Sequence, residues 1–176
     1  FNADGSVPTG TTQYEKRGIA PVLPNWIPEN CIQCNQCALV CPHAVIRPAL
    51  AKSEELNNKP ETFKTLPAQA QKGYEFKIQI SPLDCTGCGS CANVCPAKNK
   101  ALIMTEFEDI VEKEKVNYEY SRTLPLIDNL YKSDTIKGSQ FRQPLFEFSG
   151  ACAGCGETPY IKLVTQLFGD RMIVAN

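Results

Sequence analysis

An α+β fold follows from three observations on the 176-residue sequence. Two cysteine blocks share one spacing, short β-branched runs flank them, and a separate loop–helix–strand pattern closes the chain. The blocks run Cys31-x2-Cys34-x2-Cys37-x3-Cys41-Pro42 and Cys85-x2-Cys88-x2-Cys91-x3-Cys95-Pro96, which makes them an internal repeat. Gln36–Val40 and Ser90–Val94 are the lengths of single helical turns inside the blocks. Ala44–Ile46, Phe76–Ile80 and Ala101–Met104 have the length and composition of short strands around them.

Each interval in both blocks matches the bacterial pattern for a pair of [4Fe–4S] clusters. Three thiolates spaced by two residues wrap a loop around one cubane, and the fourth lies beyond a helical turn and points away. The expected ligand sets are therefore exchanged between repeats: Cys31, Cys34, Cys37 and Cys95 for one cluster, and Cys85, Cys88, Cys91 and Cys41 for the other. Thiolates suit the soft iron, and the small residues Gly87, Gly89 and Ser90 let peptide N–H groups approach the sulfurs. Ile32, Ala38, Val40, Ile46, Ala92 and Val94 are candidates for a dry surround. The fold expected is a bacterial 2[4Fe–4S] ferredoxin-like core. Four-cysteine zinc sites are the rival reading of Cys-x2-Cys pairs, but two complete runs would leave the middle cysteines redundant. The one histidine, His43, follows Cys41-Pro42; with eight cysteines filling eight positions it reads as a residue beside a site or on the surface.

The remaining segments are read from their punctuation. Residues 1–25, with Gly5, Pro8, Gly10, Pro21 and Pro24, read as an extended arm. The two-cluster unit then spans 26–105, interrupted by a polar insertion at 51–73 with a short helix near Ala68–Lys72. Residues 106–145, mixed and charged around Pro125 and Gly138, read as a linker. From Phe146 the pattern changes. Thr158 as N-cap, Pro159 in the first turn and an apolar stripe of Ile161, Val164 and Phe168, with Leu163 and Leu167 beside it, predict a helix ended by Gly169. Arg171–Ala175 follows as a strand, so 146–176 reads as the N-terminal part of an α/β domain. Phe1 in place of Met and this broken-off pattern give both ends the look of cuts.

Composition excludes several classes. A formal net charge of −1 offers no field to gather phosphates, and Lys72, Lys77, Lys98, Lys100 and Lys113 lie scattered among acidic residues as a solvated surface does, so no nucleic-acid partner is expected. No run approaches the roughly 20 apolar residues of a membrane span, and no secretory signal opens the chain; a cytoplasmic, membrane-free protein is expected. There, ten cysteines call for metal and not disulfides.

The last two cysteines stand apart, in Cys152-Ala153-Gly154-Cys155-Gly156-Glu157-Thr158-Pro159-Tyr160, at the mouth of the predicted helix. No spare cysteine remains to complete a four-ligand site, so a third [4Fe–4S] cluster here would need ligands from outside the chain. Trp26-Ile27-Pro28-Glu29-Asn30 leading into block one, block two, Lys137-Gly138-Ser139-Gln140-Phe141, and Glu147 through Tyr160 together resemble the pyruvate:ferredoxin (flavodoxin) oxidoreductases, from about Pro24 to Asn176. The resemblance implies that residues to about 145 correspond to that family's two-cluster domain, and the tail to the start of its thiamine-diphosphate-binding domain. Cys152 and Cys155 would then be two ligands of the cluster nearest the thiamine diphosphate and its Mg2+, and Glu157 a cofactor contact. It further implies the reaction pyruvate + coenzyme A + oxidised ferredoxin → acetyl-CoA + CO2 + reduced ferredoxin, in a homodimer, with this segment passing single electrons to ferredoxin or flavodoxin. No catalytic base or nucleophile is visible in the segment, which is not expected to be catalytically complete without the remaining domains of its parent enzyme. The alternative is a free-standing polycluster ferredoxin that only carries electrons.

Overall fold

The computed structural model describes residues 2–6, 8 and 10–175; residues 1, 7 and 9 of the expected arm and residue 176 of the expected C-terminal unit lie outside them. Among the described residues five strands and five α-helices are formed: β1 (Val22–Trp26), α1 (Gln36–Leu39), β2 (Ile46–Lys52), β3 (Leu66–Pro67), β4 (Tyr74–Ile80), α2 (Ser90–Val94), β5 (Leu102–Glu106), α3 (Phe107–Ser121), α4 (Ile136–Ser139) and α5 (Thr158–Phe168). The repeat is visible in the pairing. β1 lies antiparallel to β5 with Val22 opposite Glu106 and Trp26 opposite Leu102, and β2 lies antiparallel to β4 with Ile46 opposite Ile80. The short β3 adds to the far edge of β4. Helices α1 and α2, one from each block, pack together between these ladders.

One core joins the pieces. Leu23, Trp26, Ile46, Leu50, Phe76, Ile78, Ile80 and Leu102 come from the strands, and Ile110, Val111, Phe141 and Phe148 come from beyond them. Trp26 and Phe141 both meet Phe76 edge-on, with ring centres 6.2 Å apart in each pair.

Several expectations change. The arm gives up its last residues to β1, which had been obscured by Pro24. β1 has a single neighbour, so a residue without an N–H costs no second ladder bond there. The same holds for Pro48 in the edge strand β2. The strand expected at Ala44–Ile46 starts only at Ile46, because Ala44 is left-handed (φ 55°) as the chain turns after block one. No helix forms at Ala68–Lys72, where two turns and a left-handed Ala70 (φ 60°) reverse the chain into β4. Lys77 is not a solvated lysine: it is buried on β4 with its ammonium over the Trp26 and Phe63 rings, and desolvation draws its pKa down to about 8.

The expected linker is structure. It opens with the 15-residue α3, whose inward stripe is Ile110, Val111, Glu114 and Asn117. Two polar members kept this stripe from reading as an apolar face. Asn117 accepts from the Thr62 hydroxyl at 2.9 Å and so holds the helix on the insertion. Residues 127–141 then form a strap over block one: Tyr131 stacks on Phe141 (5.2 Å) and donates to the Gln69 carbonyl, and Leu130 O accepts from Gln71. In the tail, Thr158 is the first residue of α5 and Glu157 precedes it as cap, without a capping side-chain bond. Arg171–Ala175 forms no strand; with no neighbouring strand to complete a ladder, Ile173 and Val174 stay exposed.

Gly138, in the strap, has no room for a side chain, since a Cβ would stand 1.9 Å from the Lys132 carbonyl oxygen. Backbone must move to admit it. Gly138→Ala is expected to destabilise the fold by about 1–3 kcal/mol, read as a lower midpoint in chemical unfolding, and an unchanged midpoint would contradict this seating of the strap.

Candidate metal centres

Each block bends around a cavity, and the bend has a backbone cause. Pointing three sulfurs inward from seven consecutive residues requires two left-handed positions, and both blocks place them alike: Gln33 (φ 55°) and Asn35 (φ 61°) in the first, Gly87 (φ 69°) and Gly89 (φ 75°) in the second. Glycine adopts this geometry freely. Gln33 and Asn35 are held in it by buried side-chain bonds, Gln33 donating to Pro67 O (2.8 Å) and accepting from Gln69 N (2.9 Å), Asn35 donating to Lys137 O (2.9 Å).

The first cavity is lined by Cys31, Cys34, Cys37 and Cys95, with Trp26, Ile32, Ile78 and Leu102 around them; the second by Cys41, Cys85, Cys88 and Cys91, with Pro24, His43, Val45, Ile46 and Met104. Three cysteines of each come from one block and the fourth from the other. Among the described residues no three His, Cys, Asp or Glu side chains converge on a single-ion site. A zinc site would draw its sulfurs to about 2.3 Å from one point. Here the four cysteines of each quartet line one cavity.

The polar atoms around the cavities fit the same occupant. Trp26 Nε1 and Thr86 Oγ1 are buried without a hydrogen-bond partner, and both residues line a cysteine cavity. An orphaned buried donor costs about 1–3 kcal/mol, a cost removed when a sulfur accepts from it. Burial raises the Cys31 thiol, and the nearby Trp26 indole acts against that rise. Gly87 N donates to Cys85 Sγ and Ala101 N to Cys95 Sγ, both at 3.4 Å. His43 is buried beside the second cavity and not on the surface; its Nδ1 donates to Ser149 O at 3.0 Å.

Burial favours the neutral thiol at four of the quartet cysteines. Desolvation raises the thiols of Cys31 and, more strongly, Cys37; it pushes Cys85 up to about 12 and raises Cys91 further, with neighbouring cysteines adding to the shift. Cys155 is the opposite case. It stands at the first turn of α5, where the backbone N–H groups of Thr158 and Glu157 lower its pKa and favour the thiolate. Cys152 and Glu157 are exposed. The loop carrying Cys152 and Cys155 comes up against the second quartet: a Cβ on Gly154 would be 3.7 Å from Cys88 Cβ. It is moored there by His43, which accepts from Phe148 N (2.9 Å) as well as holding Ser149, and by the Arg47–Glu147 ion pair.

Sequence reasoning missed Trp26, Gln33, Asn35 and Lys162 as parts of the site. For Gln33 and Asn35 a signal existed, since aligning the two blocks sets them opposite Gly87 and Gly89. Lys162 gave none; it lies on a polar stripe, Thr158, Lys162 and Gln166, that α5 turns inward while Val164 and Phe168 of the expected apolar stripe stay exposed.

Residues 30–99 match the 4Fe-4S dicluster domain family, and residues 1–20 match a domain of unknown function. The whole chain aligns, at 64% identity, with the pyruvate:ferredoxin oxidoreductase of Moorella thermoacetica, of which it covers 15%. Over its whole length the chain is similar to one segment of the pyruvate:ferredoxin (flavodoxin) oxidoreductases. Over 98% of the chain it is 54% identical to the pyruvate-flavodoxin oxidoreductase of Klebsiella pneumoniae and 50% identical to the mitochondrial pyruvate dehydrogenase [NADP(+)] of Euglena gracilis, covering 15% and 10% of those proteins. The chain thus spans about one-seventh of the pyruvate:ferredoxin and pyruvate-flavodoxin oxidoreductases it matches. Among the described residues no helix is long and apolar enough to cross a membrane.

Because burial holds the thiols of Cys37, Cys85 and Cys91 protonated while iron binds thiolates, cluster assembly releases protons and is favoured by rising pH. Anaerobic reconstitution is expected to yield less cluster at pH 6 than at pH 8, with base uptake in a pH-stat accompanying incorporation; a pH-independent yield without proton release would contradict the burial.

Proposed function

We propose that the chain is the internal electron-transfer segment of a pyruvate:ferredoxin oxidoreductase, with one [4Fe–4S] cluster held by Cys31, Cys34, Cys37 and Cys95 and a second by Cys85, Cys88, Cys91 and Cys41. The observation that carries this reading is the pair of cavities, each lined by one of these mixed quartets. Cys152 and Cys155 supply two ligands of a third cluster completed from outside these residues, and Glu157, exposed at the mouth of α5, contacts thiamine diphosphate with its Mg2+. Residues 146–176 are then the start of the thiamine-diphosphate-binding domain. That cofactor supplies the carbon chemistry of pyruvate oxidation, with coenzyme A as co-substrate.

Residues of this chain order the electrons. The approach of Gly154 to Cys88 supports arrival at the Cys41/Cys85/Cys88/Cys91 cluster and departure from the other. The two electrons of each turnover leave one at a time, because each cubane accepts one. Relatives named for ferredoxin, flavodoxin and NADP+ share this segment at 50–64% identity, which supports a common internal wire whose final acceptor is chosen elsewhere. We take ferredoxin or flavodoxin as the acceptor, a homodimer as the assembly and the cytoplasm as the compartment.

Paired substitutions test the ligand exchange. Cys41→Ala with Cys88→Ala removes two ligands of one cluster and is expected to leave about four irons per chain, whereas Cys37→Ala with Cys88→Ala strikes both and leaves close to none. Equal iron loss in the two double variants would sink the assignment.

A further inference from the structure

Lys162 is 2% exposed, an uncommon position for an ammonium. It reaches from α5 to the end of α1 and the turn beyond, donating to the carbonyls of Ala38, Leu39 (3.1 Å) and Cys41 (3.4 Å). Among the described residues no carboxylate pairs with it. Burial draws its pKa down to about 8; among the ionisable groups acting on it, Cys41 and Cys37 attract it as thiolates and Arg47 repels it. Three carbonyl dipoles alone are poor compensation for a buried cation, whose desolvation costs several kcal/mol. A stronger negative charge belongs close by. Cys37 lines the first cavity and Cys41 the second, so the ammonium stands where the walls of the two quartets meet.

We propose that Lys162 is the shared counter-charge of the two clusters, a fixed positive charge that stabilises the added electron on either one and so holds both reduction potentials up. This rests on the quartets holding clusters. The step is a one-electron reduction of a cluster in which Lys162 makes and breaks no bond and keeps its proton. The proposal explains why α5 turns a polar stripe inward against its own apolar periodicity: the helix is docked by charge, and the loop leading into it, with Gly154 against Cys88, is brought to the second quartet by the same docking.

The test is a redox titration, followed by electron paramagnetic resonance, of the reconstituted native chain and its Lys162→Gln, Lys162→Met and Lys162→Arg variants, with Lys72→Gln as an exposed-lysine control. Both neutral variants are expected to bind about eight irons and to show reduction at both clusters disfavoured at least tenfold, a fall of about 59 mV for a one-electron couple. The Arg variant and the control stay within threefold of native. Neutral variants that retain their clusters and titrate within threefold of native would overturn the proposal. If neither neutral variant assembles, hyperfine coupling decides in native protein labelled with [15N]lysine. A lysine nitrogen coupled to the reduced-cluster spin, and lost in Lys162→Arg, is expected; no coupling overturns the proposal. An iron count far below eight in the native chain defeats the cluster assignment itself, and so is told apart from failure of the Lys162 role.

Discussion

The rest of the structure depends on one backbone constraint: seven consecutive residues must aim three sulfurs at a common space. That geometry requires the chain to pass twice through left-handed conformations, and the two blocks meet the requirement by different means. Block two uses Gly87 and Gly89, which adopt it without help. Block one uses Gln33 and Asn35, whose conformations cost more and are held by bonds to the insertion at Pro67 and Gln69 and to the strap at Lys137. Chain segments added to the repeat are thus fastened to it at the two points where the repeat departs from glycine. The cysteines of the first quartet are all half-buried. The second is left open at Cys88, where the Cys152–Cys155 loop approaches.

The grouping of the eight cysteines around two cavities was legible in the sequence and much of its mounting was not. Cysteine intervals specify which sulfurs face one cavity, because a ligand loop has little freedom, and the exchange of Cys41 and Cys95 between quartets follows from the same intervals. α1, α2, β4 and β5 also lay close to where short apolar runs placed them. What failed were segments whose buried faces are polar. α3 buries Glu114 and Asn117 beside Ile110 and Val111, so its period was too weak to show through a charged sequence. The period of α5 was plain but its direction was misread, since a hydrophobic stripe says nothing of what the polar stripe can bind. Here three carbonyls by Cys41 and the Gln140 and Arg142 groups that meet Gln166 outweighed it. Prolines misled in β1 and β2 because their strands each have a single neighbour, a property of the sheet and not of the local sequence.

Electrostatics divides the ten cysteines into two groups. Eight line the two cavities, and burial favours the neutral thiol at Cys31, Cys37, Cys85 and Cys91, so iron must supply the charge that makes these four ligands. The other two sit on a helix mouth, where peptide N–H groups already favour the thiolate of Cys155. Between the quartets the interior holds a lysine without a carboxylate. Such a distribution suits a segment that stores negative charge inside a protein and hands it along, and it is costly for one that merely folds around metal.

Iron and acid-labile sulfide, counted per chain on anaerobically purified protein and read with the electron paramagnetic resonance of the dithionite-reduced state, test the central claim most directly. Two cubanes predict about eight of each and the broadened spectrum of two interacting spins; zinc in place of iron, with no sulfide, would contradict the account.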